Sequence, residues 1–292
     1  MTRVGIIGLR AGVDYNRKIA KYLENLGIDS DVLIAWDLEI SNRISLPDWN
    51  LVYIRFSGIR WTLELAKQLD FLGYRLLNGI DYYEKVSNKY LSGVLANKAG
   101  VRTPISYLIP TTTLLMEKTK AIAGAIGYPL ILKPQYSMTQ GADVFKIENP
   151  DDLEDRLNRL RQLDGVNFHD FVLLQEYIFY QKLIRVFQIE DEIIDVVYNK
   201  PSDSNWKCSV CNNPDVKILD YHDIRIELIE FCTKIAEVFG GKIRFIDLFL
   251  TEDGLVFNEL NLACNFVHQE RVTGTNYAKL LAEEIARNVD CS

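Results

Sequence analysis

The chain opens on a short apolar run, VGIIGL, and after Arg10 to Gly12 continues as NRKIAKYLENLG, where apolar residues recur at helical spacing up to a terminal glycine. DSDVLIAW is the next strand-like run. The rhythm then repeats: NLVYIRFSG predicts a strand, TLELAKQLDFLG a helix and YRLLNG a further strand, closing a first lobe near residue 80. Strand, helix, strand with short connections is the signature of a parallel α/β unit. DYYEKVSNKYLSGVLANKAG reads as one helix ending at Gly100, and VRTPISYLIP as an extended connection, because Pro104 and Pro110 interrupt helix formation. The helix EKTKAIAGAIG, the strand PLILKP, the polar turn QYSMTQGA and the strand DVFKI follow. Asn149 and Pro150 lead into a further helix. Strands FVLLQEYI, LIRVFQIED and EIIDVVYNK come next, then a loop without clear period from Pro201 to about Asp215. The tail holds the helix RIELIEFCTKIAEVFG, the strands IRFIDLFLT and GLVFNELN joined through Glu252, Asp253 and Gly254, and a last helix from about Asn276. No internal repeat or low-complexity tract interrupts this order.

At 292 residues the chain has room for two or three compact lobes. A formal net charge of -7 argues against nucleic acid or an anionic membrane surface as partner, since phosphates select basic surfaces. No apolar stretch is long enough to span a bilayer and the N-terminus runs directly into a strand, so a cytoplasmic location is expected. Five cysteines fit a reducing compartment better than a disulfide framework. Cys208 and Cys211 form a single CxxC with no second pair beside it, and no metal is assigned to them. Gly5 and Gly8 lack the GxGxxG spacing of a dinucleotide site and read as packing glycines at a strand end.

The densest candidate chemistry lies in FIDLFLTEDGLVFNELN. Side chains alternate faces along a strand, so Glu259 and Asn261 project to one side, and a hairpin partner brings Asp247 beside them. Three oxygen-bearing side chains on adjacent strands suit magnesium. The strands alone equally allow Glu259 and Asn261 to be half-exposed residues pairing with nearby bases. Lys133 leaves a buried strand beside a turn ending at Gly141, a position from which a lysine can meet phosphate or simply snorkel to solvent. No Walker A pattern is present. Lys89, in a helix after Ser87 and Asn88, carries the same two readings. Arg55 ends the strand NLVYIR, where an open parallel sheet places ligands, or else it pairs with a surface acid.

Taken together and in order, these segments resemble the ATP-grasp superfamily, in particular its RimK-like or LysX-like branch, over nearly the whole chain. The stretch LLNGIDYYEKVSNKYLSGVLANKAGVRTP is similar to the branch's first lysine-bearing segment, with Lys89 as its lysine. YPLILKPQYSMTQGADVFKI resembles the second lysine strand and its glycine-rich loop, with Lys133 and Gly141. LLQEYI resembles the hinge that receives adenine, which implies Gln175, Glu176, Tyr177 and Ile178 at the base. LIRVFQIEDEIIDVV, NWKCSV and FIDLFLTEDGLVFNELN with NFVHQERVTGTNYA resemble the remaining motifs, which implies catalytic roles for Arg185 and Lys207 and metal ligation by Asp247, Glu259 and Asn261.

The resemblance implies an α/β ATP-grasp fold with an N-terminal open parallel sheet in 1–82, a central nucleotide lobe in 83–173 and a C-terminal lobe with the metal site in 174–292. It implies ATP with Mg2+, or Mn2+, and a ligase that joins a small-molecule or peptide carboxylate to an amine through an acyl phosphate, releasing ADP and phosphate. A homo-oligomer is compatible with it. Arg55, sharing the acceptor cleft with Arg185 and Lys207, is expected to select a substrate carrying a carboxylate beyond the one activated. Departures from the family pattern fall at Leu183, where an acidic ribose-holding residue is expected, at Ser209, Asn213 and Pro214, and at Cys264, where a proline is usual. Leu183 keeps open an alternative, a catalytically silent ATP-binding regulatory or scaffold protein, and a phosphotransferase acting on another nucleophile is a third reading.

Overall fold

The computed structural model describes residues 2–38, 46–56, 60–111, 116–136, 144–161, 170–202, 206–207 and 215–289, without the side chains of 160 and 161. Gly141, Cys208, Ser209, Cys211, Asn213 and Pro214 lie outside the described residues. The N-terminal strands β1 (Arg3–Gly8), β2 (Asp29–Ile34) and β3 (Leu51–Arg55) form a parallel sheet in the order β2-β1-β3, crossed by helices α1 (Val13–Asn25) and α2 (Arg60–Phe71). The expected fourth strand in YRLLNG is not formed. Only a single bridge joins Leu76 to Val52, because the segment turns away at once through Gly79 into the next helix.

That helical stretch is two helices, α3 (Ile80–Ser87) and α4 (Lys89–Lys98), rather than the one expected. Asn88 takes an extended conformation between them, and its side chain accepts the Leu91 N–H, capping α4 as asparagine does at a helix start. Lys89 is thereby set at the first turn of a new helix. The proline-flanked connection pairs as strand β4 (Ser106–Pro110), followed by α5 (Met116–Ile126), β5 (Leu130–Pro134), β6 (Phe145–Ile147), α6 (Pro150–Arg161) and β7 (Phe171–Glu176). These strands make an antiparallel sheet in the order β4-β7-β5-β6.

The third sheet, also antiparallel, has the order β10-β9-β8-β11-β12, from β8 (Lys182–Ile189), β9 (Glu192–Asn199), β10 (Lys217–Ile218), β11 (Ile243–Thr251) and β12 (Gly254–Asn261). Helix α7 (Arg225–Phe239) packs behind it. Helices α8 (Val267–Thr273), a short element the periodicity does not reveal, and α9 (Tyr277–Val289) bring the chain back to α1 and β3. Among the described residues no helix is long and apolar enough to cross a membrane.

The cores explain how these layers hold together. Val4, Ile6, Leu51 and Tyr53 from one face of the first sheet bury with Phe187, Phe245, Phe266 and Tyr277, while Ile7, Val52 and Ile54 from the other face join α2, α3, α7 and the back of the third sheet. Both faces of the N-terminal sheet thus share cores with C-terminal elements. Asn78 reinforces this union, its carboxamide oxygen accepting the N–H groups of Lys242 and Ile243 and its nitrogen donating to the Ile243 carbonyl. The second sheet has a core of its own, running from Ile109 to Leu174 with α5 and α6.

Candidate functional site

Strand alternation decides which side chains meet. On β5 and β7, Leu130, Leu132, Val172 and Leu174 face the private core of the second sheet, so Lys133 and Gln175 project from the opposite face. Lys133 is only 6% exposed. The backbone N–H of Lys89 donates to the Gln135 carbonyl, tying the start of α4 to the chain just beyond Lys133.

On the third sheet, Arg185, Asp247 and Glu259 are neighbours across β8, β11 and β12 on one face. Alternation alone would put Phe257 on the same face as Glu259. Instead β12 carries a bulge: Phe257 pairs with Leu248 and Glu259 with Asp247, so Asn258 is an extra residue that flips the pattern. Phe257 goes into the core and Glu259 into the site.

The charges interlock. The Lys89 ammonium donates to the Glu259 carboxylate in an ion pair. Arg185 clamps Asp247 through two parallel bonds, Nε to Oδ1 at 2.6 Å and Nη2 to Oδ2 at 2.5 Å, and Asn261 Nδ2 donates to Asp247 Oδ2 at 3.2 Å. Burial first and the Lys89 charge second, opposed by Glu259, together lower Lys133 from the ordinary 10.5 to about 7. For Glu259 burial pushes upward, but Lys89, then Lys133, and also Arg185 outweigh it and leave the carboxyl at about 2. Two lysines face one carboxylate here, an excess of cation that an anionic ligand can relieve.

Asp247, Glu259 and Asn261 offer only oxygen ligands, two of them charged, which matches the preference of a hard divalent cation. Among the described residues no group of three His, Cys, Asp or Glu side chains could hold a metal, so the amide oxygen of Asn261 would be the third donor. Both carboxylates are engaged by Arg185 and Lys89, so a cation would have to take oxygens now shared with these bases.

The remaining expected site residues fall into two further groups. Gln175 donates to Ser106 Oγ at 2.8 Å, and Glu176 accepts the Ile105 N–H, fastening the end of β7 to the start of β4 within the second sheet. Tyr177 stands edge-on to Phe179 and Trp206 with the Lys146 ammonium 4.8 Å above its ring, and Ile178 is buried beside it in the chain. Lys207 lies over the Trp206 ring, its ammonium 5.7 Å from the ring centre. Lys146, Phe179 and Trp206 are additions that sequence reasoning missed, and only the tryptophan beside Lys207 offered a signal.

Arg55 is buried at the carboxyl end of β3, and among the described residues it forms no ion pair with a surface acid. Its Nη1 donates to Asn16 Oδ1 and its Nη2 to the Cys264 carbonyl, while Arg185 Nη1 meets Cys264 Sγ at 3.2 Å. Cys264 therefore touches both arginines. Leu183, where the resemblance led to an acidic residue being expected, is buried with Val197, Val216, Tyr180 and Phe249.

The model of the RimK-like ATP-grasp domain matches residues 86–285. The chain is 26% identical over 236 residues to a coenzyme gamma-F420-2:alpha-L-glutamate ligase from Methanococcus maripaludis, covering 79% of this chain and 75% of that protein. It is 24% identical to a tetrahydromethanopterin:alpha-L-glutamate ligase from Methanocaldococcus jannaschii, covering 73% and 71%. A RimK domain ATP-grasp protein from Sphaerobacter thermophilus superposes with a TM-score of 0.77 at 18% identity, over 97% of this chain and 99% of that one, which speaks for the fold. With the family model spanning most of its length and the sheets arranged to match, the chain belongs to the RimK-like ATP-grasp family.

Proposed function

We propose that the protein is an ATP-dependent carboxylate-amine ligase acting on an acidic amino acid such as L-glutamate. The carrying observation is the meeting of Lys89, Lys133 and Glu259 between the second and third sheets, next to the Arg185–Asp247 pair. Glutamate is suggested by the names of the two relatives, both alpha-L-glutamate ligases.

In this reading Lys89 and Lys133 neutralise the nucleotide phosphates, and Tyr177 and Ile178 line the base. Asp247, Glu259 and Asn261 would hold Mg2+, or Mn2+, which supplies charge neutralisation on the phosphates when bound. A substrate carboxylate oxygen attacks the γ-phosphorus and the bond to the β-phosphate oxygen breaks, giving an acyl phosphate and ADP. The amine then attacks the acyl carbon, phosphate leaves and the nitrogen loses a proton. Arg185, buried and permanently charged, faces the negative charge that develops on this path. Lys207 joins from the hinge side.

The experiment is an ADP-release assay with magnesium, L-glutamate and a panel of carboxylate acceptors, with products identified by mass. ADP release requiring both acceptor and amine, with a product heavier by one glutamate residue, supports the reading. The apolar burial of Leu183 favours a second one, an ATP-binding protein without turnover. Tight ATP binding with no product across the panel would select it.

A further inference from the structure

Arg55 is 6% exposed, and no carboxylate of the described residues forms an ion pair with it. A buried guanidinium without an anion is costly, and such charges are normally paired. Its Nε has no acceptor. The same is true of two neighbouring amides, Asn16 Nδ2 and Gln269 Nε2, on side chains 1% and 2% exposed. Asn16 is bonded to Arg55, and Gln269 reaches Cys264, whose carbonyl Arg55 also holds.

The surroundings are built for a cation and its partner. The Arg55 guanidinium lies 4.7 Å from the Tyr15 ring centre and 5.5 Å from that of Phe266, which fixes its plane. Gly8, ending β1, leaves room for Asn16: a Cβ there would come within 2.2 Å of Asn16 Nδ2. The group lies where β1 and β3 end and α1 begins, the crevice in which open α/β sheets receive ligands. Through Cys264 it adjoins Arg185 of the site described above. Three buried donors left without acceptors at one place, one of them charged, call for a ligand with several acceptor oxygens.

We infer that Arg55, Asn16 and Gln269 form a subsite for a substrate carboxylate that is not the one activated. This rests on the ligase reading and deepens it by assigning a specificity pocket for an acidic amine substrate. Asn16 and Gln269 belong to it as much as Arg55, so the pocket unites residues from α1, β3 and α8.

The test is calorimetry on the full chain, with magnesium ADP titrated first and L-glutamate second. Wild-type protein is expected to bind L-glutamate in competition with glutarate and more weakly to bind L-glutamine. Arg55→Met and the milder Gln269→Met are each expected to lower L-glutamate affinity by at least about tenfold, the scale of a lost charge-assisted hydrogen bond, with ADP affinity retained. Circular dichroism establishes that each variant is folded, and Gln269→Met carries the test if Arg55→Met is not. Unchanged L-glutamate affinity in folded Gln269→Met, no L-glutamate binding by the ADP-loaded wild type, or inorganic phosphate occupying the pocket as well as glutarate would each overturn the subsite. Absence of ADP binding in the first titration would instead overturn the ligase reading.

Discussion

Lys133→Met is expected to make the ligand-free protein more stable while weakening nucleotide binding. The lysine sits on a sheet face with its ammonium taken out of water and held near Lys89, so it is lowered from 10.5 to about 7. The unfolded chain therefore binds a proton that the folded one gives up between these values, and the stability contributed by this position rises with pH across that window. Below it both states are protonated and the full penalty of a buried charge remains. The drop from 10.5 to about 7 corresponds, at about 1.4 kcal/mol per tenfold change, to roughly 5 kcal/mol near about pH 6. By the same linkage it falls to roughly 2 kcal/mol near about pH 9. Methionine keeps the apolar stem and removes the charge, so the variant's advantage in urea unfolding should shrink by a few kcal/mol over that range. ATP affinity, measured by calorimetry, should fall by roughly 1.5–3 kcal/mol. Wild-type binding should also take up protons above about pH 7, seen as a heat that depends on the buffer's ionisation enthalpy. A variant no more stable than wild type at low pH, with a difference that does not change with pH, would refute the reasoning.

Glu259→Gln, which keeps shape but removes a ligand charge and the Lys89 partner, should reduce turnover to background at limiting magnesium, and full activity there would remove Glu259 from the metal site. Arg185→Met removes the guanidinium that clamps the buried Asp247 and should cost roughly 3–5 kcal/mol in urea unfolding, whereas Arg10→Met, in an exposed pair with Asp37, should cost under about 1 kcal/mol. Gly241→Ala places a Cβ 2.6 Å from the buried Tyr82 ring at a φ of 74°, so roughly 2–4 kcal/mol of stability should be lost, measured in the same assay.

Much of this protein was legible along the chain because local rules govern it. The parallel β1-α1-β2 unit, α7 and the β11–β12 hairpin follow from period and turn residues, and the order of lysine and carboxylate segments carried the family resemblance. Where those rules compete, sequence alone misread the outcome. Leu76 lacks strand partners beyond one bridge, and the Asn88 cap divides what the periodicity joins.

Position on a face, and contact at long range, were decided by the tertiary structure. The Asn258 bulge turns Glu259 toward Asp247 and Lys89, although strict alternation would have placed Phe257 with it. The low value of Lys133 arises from burial between sheets, which no motif encodes. Arg55 gave no hint of Asn16, Gln269 or Cys264 because these residues lie up to 214 positions from it along the chain, counting from 55 to 269, and meet it only when α8 returns to the end of the first sheet. A pattern along one strand or helix determines which residue types can form an element. Which donors are left buried without an acceptor depends on the packing of elements distant in the chain, and that is settled only when the chain has closed.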